Sequence, residues 1–168
     1  LVVRTDWKPH LLEDLRSDFT AVTEERRKTF TGRVKHFSYL PTGAAERVLV
    51  RKVVRGGIVA RTLGDLHWGM GRPFRELAAV IRARKAGLKV PEIVAVRATH
   101  AWGPYYRFTV IVKEIDGAAD LLSLAPRLAP AQRHRAIGEV AEAVRRMHEA
   151  GLYHGDLNIK NILIAGDT

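Results

Sequence analysis

The stretch "LYHGDLNIKNIL" (residues 152–163) sets one His, one Asp and one Asn at fixed intervals between two apolar flanks. An Asp five residues ahead of an Asn can put a carboxylate and an amide on opposite sides of a tight loop. A carboxylate in that setting accepts or orients the proton of an attacking hydroxyl, and the amide oxygen holds a metal ion on a nucleotide. Asp156 is therefore the candidate catalytic residue, and Asn161 the candidate ligand for a Mg2+ that bridges nucleotide phosphates.

The rest of the chain is compatible with such a site. Its 168 residues are enough for one domain with a real core, or for two small lobes sharing a cleft. An apolar content of 46% argues for a globular protein, and no uninterrupted apolar run reaches the length of a membrane span. The absence of cysteine excludes a disulfide framework, thiolate zinc sites and thiol catalysis. Asp6, Lys8 and Pro9 interrupt any signal-like apolar stretch at the start, so a cytosolic address is the default expectation. The chain begins without Met and ends on "IAGDT" directly after a strand-like run, and both ends are expected to be cut.

Charge is unevenly placed. Residues 26–107 carry 18 Lys/Arg against 4 Asp/Glu, within a chain whose net charge is +10. A basic half beside an acidic remainder implies an anionic partner, and nucleic acid, anionic lipid and a phosphorylated glycolipid all qualify. No base-stacking aromatic ladder or nucleic-acid motif is visible, so nucleic acid is not the expected partner.

Elements follow from period and punctuation. "PHLLEDLRSDF" reads as a short amphipathic helix, and "EERRK" (24–28) as a solvated connector. "RVKHFSYL" and "ERVLVRKVV" (46–54) read as strands joined through the turn "PTG" (41–43). A helix is expected over 72–87, with Pro73 in its first turn, Gly87 past its end, and Phe74, Leu77, Ala78 and Ile81 on one face. Two strands, "VPEIVAVRATH" and "YYRFTVIVKEI", flank the turn "AWGP" (101–104). A long helix over 130–151 would bury Ile137, Val140, Val144 and Met147 and stop at Gly151. "NILIA" begins another strand.

Within this frame, His-x-Asp-Leu-x-x-x-Asn at His154, Asp156, Leu157 and Asn161 resembles the catalytic loop of the protein-kinase fold. The resemblance implies a structural His154 that fixes the loop backbone and a Leu157 that anchors it in a helical lobe. Gly155 stands where protein kinases carry Arg, which resembles the loops of kinases acting on sugars and aminoglycosides. "VLVR" (48–51) occupies the place of the kinase Val-Ala-Ile-Lys. Strand alternation sends Val48 and Val50 one way and Leu49 and Arg51 the other, which favours Arg51 over Lys52 as the phosphate ligand of bound ATP. Glu76 would pair with that cation, and Glu114 to Gly117 would form the hinge that binds adenine. Only Gly32 could serve a glycine-rich phosphate loop.

Read together, "VLVRKVVRGGIVARTLGD", "RPFRE", "GLKVPEIVAV", "KEIDGAADL" and "HGDLNIKNIL" resemble successive blocks of the lipopolysaccharide core kinases, in particular those acting on 3-deoxy-D-manno-octulosonic acid (Kdo). The similarity covers roughly residues 30–164. It implies an α+β, protein-kinase-like fold: an N-terminal helical extension (1–25), a small antiparallel-sheet N-lobe with one helix (26–115), and the beginning of a helical C-lobe (116–168). It also implies ATP-dependent phosphorylation of a Kdo hydroxyl on a lipid A precursor, with Mg2+, at the cytoplasmic face of the inner membrane of Gram-negative bacteria. The basic half fits that anionic glycolipid and an anionic membrane surface. Aminoglycoside-type and atypical protein kinases are the alternatives within the fold, and a basic nucleic-acid module the alternative outside it. Family members continue into an Asp-containing strand-turn that binds a second metal, and Asp167 is too close to the loop to replace it. The 168 residues alone are therefore expected to bind ATP weakly, transfer no phosphate and tend to aggregate.

Overall fold

The computed structural model describes residues 1–30, 36–54 and 64–165. The readings placed on Gly32 and Asp167 lie outside those residues. The chain divides into two compact units, Leu1–Ala78 with Pro91–Glu114, and Ala79–Val90 with Ile115–Thr168.

The first unit is built on a seven-stranded antiparallel sheet. Its strands are β1 (Val2–Val3), β2 (Lys28–Phe30), β3 (His36–Tyr39), β4 (Val48–Lys52), β5 (His67–Trp68), β6 (Ile93–Trp102) and β7 (Tyr105–Lys113). They lie in the order β1-β6-β7-β4-β3-β2, and β5 pairs with the end of β7 that β4 does not reach. Registers are well defined: Val50 faces Phe37 on β3 and Ile111 on β7, while Arg51 faces Val110 and Lys52 faces Thr109. Residues opposite one another in an antiparallel pair share a face. One face therefore carries Val48, Val50 and Ile111, all buried, and the other carries Leu49, Arg51, Val110 and Val112.

Helix α1 (Lys8–Arg16) covers the first face. Trp7, Leu11 and Leu15 recur every four residues, so they form one stripe, and all three are buried against Tyr39, Val48, Val50, Val94 and Ile111. The chain then turns sharply. Asp18 and Phe19 both adopt positive φ (53° and 62°), a costly backbone for residues with a Cβ. The turn delivers the Phe19 ring into the core, edge-on to Phe37 and Tyr39 at 5.8 and 6.1 Å. The segment expected as a separate extension thus lies within the first unit and supplies half of its main core. The "connector" is also partly strand: a 3-10 turn over Glu24–Arg26 leads into β2, which pairs with β3. The period-2 signal there is only three residues long, too short to read.

The second face is covered by a smaller cluster of Val96, Val110 and Val112, with Leu49, Val53, Ile93 and Leu77 against it. Leu77 belongs to α2 (Gly71–Lys85). The expected apolar face of this helix is rotated: Phe74, Ala78 and Ile81 are exposed, while Leu77 and Val80 are part-buried and Ala83 is buried. Apolar residues surround "FRELAAVIRA", so periodicity alone does not select a face, and packing does.

The second unit contains α3 (Leu121–Leu124), α4 (Pro130–Glu149) and a two-stranded ladder of β8 (Ala119–Asp120) with β9 (Leu163–Ile164). On α4 the stripe is Ala136, Val140, Val144 and Met147; Ile137 is 56% exposed, contrary to expectation, because the i, i+4 row passes through Ala136 instead. Among the described residues no helix is long and apolar enough to cross a membrane.

Two stability predictions follow from the first unit. Leu11→Ala removes a fully buried side chain and is expected to cost about 2–5 kcal/mol in denaturant unfolding. Leu40→Ala, at an exposed site, is expected to cost about 0.5 kcal/mol or less. Tyr39 is buried and donates its hydroxyl proton to Asp14 Oδ2 at 2.8 Å. Burial first, and that carboxylate second, push its ionisation well above the ordinary tyrosine value. A raised folded-state value means stability present below the unfolded value of about 10 and lost as pH rises beyond it. Unfolding titrations should show this alkaline loss in the native chain and a smaller one in Tyr39→Phe; identical pH profiles would contradict the assignment.

Candidate active site

The residues singled out by sequence fall into two groups, one in each unit. In the second unit, α4 ends where Gly151 takes positive φ (67°), its N–H bonding His148 O at 2.9 Å while Leu152 N–H bonds Met147 O at 3.0 Å. The quoted loop leaves from this stop. Its far end is tied down by the β8–β9 ladder and by Leu121 N–H donating to Ile162 O at 2.9 Å. Asp120 caps α3, accepting from Ser123 N–H and Oγ, each at 2.9 Å. Those bonds, the backbone one first, hold its carboxyl below the usual range.

Between these anchors the loop is organised around one side chain that sequence reasoning overlooked. Asn158 Oδ1 accepts the Lys160 N–H at 3.0 Å, its carbonyl accepts the Asn161 N–H at 2.9 Å, and its Nδ2 donates to Asp156 Oδ1 at 3.1 Å. Asn161 Nδ2 donates to the Asp156 carbonyl at 2.7 Å and to Asp156 Oδ2 at 3.3 Å. Each oxygen of the Asp156 carboxylate is thus held by a different amide. His154 fixes the backbone, its Nδ1 accepting the Asp156 N–H at 3.2 Å, so the neutral ring carries its proton on Nε2. The Asx-type pattern of Asn158, two residues before an N–H it caps, is the signal that could have found it. Leu157, expected as an apolar anchor, is 43% exposed. The loop is fixed by hydrogen bonds rather than by burial.

In the first unit, Arg51 is exposed on the face of β4 shared with Leu49, and Lys52 is exposed on the opposite face. Glu76 is exposed beside Leu77, whose side chain packs on Arg51's face of the sheet. Glu114 is largely buried and engaged: Oε2 accepts from Arg47 Nε at 3.0 Å, and its N–H bonds the Arg47 carbonyl at 2.9 Å. The hinge reading placed on it therefore has no Glu114 N–H to offer. Just beyond, Gly117 N–H is held by the Asp116 side chain at 3.1 Å. Asp156 and Asn161 are brought together. Arg51 on β4, Glu76 on α2 and Glu114 just after β7 lie in the other unit.

A chain with this sheet and this loop has relatives. The pattern of the lipopolysaccharide kinase (Kdo/WaaP) family matches residues 12–168, so the similarity begins inside α1 rather than near residue 30. A 3-deoxy-D-manno-octulosonic acid kinase of Photobacterium profundum is 31% identical over 164 residues, covering 93% of this chain and 68% of that protein. One of Stenotrophomonas maltophilia is 33% identical over 131 residues, covering 76% of this chain and 50% of that protein. The chain therefore spans from half to about two thirds of the length of these curated relatives. A solved structure, described as WaaP in complex with acyl carrier protein, superposes with a TM-score of 0.55 at 21% identity, over 96% of this chain and 62% of that one, and shows the kinase-like fold. The chain belongs to the lipopolysaccharide kinase (Kdo/WaaP) family.

Proposed function

We propose that the protein is an ATP-dependent kinase that phosphorylates a Kdo hydroxyl on a lipid A precursor type of glycolipid, working at the cytoplasmic face of the bacterial inner membrane. The observation that carries this reading is the exposed Asp156 carboxylate held by two amides. Family membership and the names of the relatives support the reaction and the acceptor. The basic surplus of residues 26–107 supports an anionic glycolipid and an anionic lipid surface.

In this reading the acceptor hydroxyl donates to Asp156. Its oxygen attacks the γ-phosphorus, the bond to the β,γ-bridging oxygen breaks, ADP leaves, and the hydroxyl proton passes to the Asp156 carboxylate. Phosphoryl transfer of this kind depends mainly on positioning and charge stabilisation, so a carboxylate already fixed in direction is what the chemistry asks for. Asn161 spends its Nδ2 on Asp156, and its remaining amide oxygen is the hard, neutral donor that Mg2+ accepts. Mg2+ binds through few protein oxygens plus phosphates and water. When bound, the ion neutralises charge between the β- and γ-phosphates. Arg51 is assigned to those phosphates, with Lys52 the alternative from the other sheet face, and Glu76 to the cation that binds them. Adenine is assigned to the Glu114–Gly117 segment through the Glu114 carbonyl, since the N–H is engaged.

In the whole protein, Asp156→Asn is expected to lower kcat on a Kdo-bearing acceptor by about two orders of magnitude or more, with the KM for ATP little changed. Asn158→Ala frees one carboxylate oxygen and is expected to lower kcat about ten- to a hundredfold, again sparing ATP. Unchanged turnover in Asp156→Asn would remove the loop from the mechanism; a raised ATP KM with normal kcat would reassign it to nucleotide binding.

A further inference from the structure

The sheet of the first unit ends in a row of aromatic side chains to which the site just described gives no task. Trp68 on β5 lies opposite Tyr105 on β7, which lies opposite Trp102 on β6, so the three residues cross three neighbouring strands on one face. Their ring centroids are 5.5 and 4.5 Å apart. Trp68 is 68% exposed and Trp102 58% exposed, and Met70 and Phe74, next along the chain, are exposed as well. The support is rigid. His67 is buried beside Phe108 and bonds the Val53 carbonyl at 3.0 Å, Gly69 N–H bonds Pro104 O at 2.8 Å, and His100 Nε2 bonds the turn carbonyl of Gly103 at 2.8 Å.

Exposing two tryptophans on a braced hairpin end costs solubility, and such contiguous patches mark a binding surface. Segments 64–75 and 97–107, which carry the row, contain four arginines against one acid, Asp65; Asp65 pairs with Arg107 at 3.0 Å, and Arg97 pairs with Asp18. Indole and phenol rings with a polar tip, in a unit whose residues 26–107 carry a large basic surplus, fit the headgroup boundary of an anionic bilayer. A platform for stacking nucleobases would present open ring faces. Here Trp68 meets Tyr105 at 83° and Trp102 meets it at 46°, so the rings pack on one another as a wedge.

We infer that Trp68, Tyr105 and Trp102 form a wedge that inserts at the headgroup level of an anionic lipid membrane. The inference rests on the membrane-surface reading above and names the residues that make the contact. Charge steers the first unit to the surface, and the wedge holds it there once the rings leave water.

Tryptophan emission reports this directly, because two of the three tryptophans are in the wedge and the third, Trp7, is buried. The chain is mixed with vesicles containing anionic phospholipid, with purely zwitterionic vesicles, and with a single-stranded oligonucleotide. With anionic vesicles we expect a blue shift, and quenching by lipids brominated near the headgroup end of the acyl chain. Trp68→Ser with Trp102→Ser should weaken vesicle affinity at least about tenfold while leaving residual, salt-sensitive binding. Quenching of the unsubstituted chain keeps the test valid if the double variant folds poorly. Salt-sensitive vesicle binding with unshifted, unquenched emission would overturn the wedge and leave the membrane reading standing. Absence of binding to any vesicle would overturn both. Quenching by the oligonucleotide alone would reassign the row to nucleic acid.

Discussion

The two-residue period of β4 is the constraint on which the first unit depends. Val48 and Val50 point to one face and Leu49 and Arg51 to the other, and a sheet with apolar groups on both faces must be covered twice. Trp7 and the Leu11 and Leu15 of helix α1 that follows it cover one face, and α2 contributes Leu77 to the other. Burial then grades along the strand: Leu49 lies within the second cluster, whereas Arg51, two residues on, is exposed. A one-residue slip of β4 against β7 would bury the Arg51 charge where Val50 now packs. The register of β4 and the exposure of Arg51 are thus fixed by one pattern.

The second unit reaches order by different means. Its loop is exposed along nearly its whole length, so burial cannot fix it. Order comes from short-range polar bonds: His154 to the Asp156 backbone, Asn158 to three groups, and Asn161 to the Asp156 carbonyl. Such bonds each contribute little net stability in water, but together they remove the rotamer freedom of the carboxylate before any substrate arrives. In the proposed reading the loop admits both a nucleotide and a glycolipid, and side-chain amides hold direction without sealing it as apolar packing would.

Much of this was legible from residue order. Val48-Leu49-Val50-Arg51 announced its alternation, Gly87 and Gly151 marked the ends of their helices with positive φ, and the His-Asp-Asn spacing placed the loop. What escaped reading depends on distant partners. Phe74 and Ile81 looked like core because they lie on the helix face that also carries Leu77 and Ala78, and only the sheet beneath selects Leu77. Strands β1, β2 and β5 have two or three residues each, too few for a period, and exist because β6, β3 and β7 offer free edges. The aromatic row joins residues 34 apart in sequence, and no local pattern connects Trp68 to Trp102. Asn158 was passed over because its role lies in hydrogen-bond direction rather than residue type.

In the proposed reading the carboxylate held by two amides activates a hydroxyl, and membership of the lipopolysaccharide kinase family supports a sugar of lipopolysaccharide as its bearer. Phosphorus NMR of a Kdo-bearing lipid A precursor, incubated with the whole protein, ATP and Mg2+, reads the bond that forms. The account predicts a new phosphomonoester whose phosphorus couples to a proton of the Kdo ring, absent when an aminoglycoside or a protein replaces the glycolipid. Phosphate appearing on those acceptors while the glycolipid stays unmodified would contradict it.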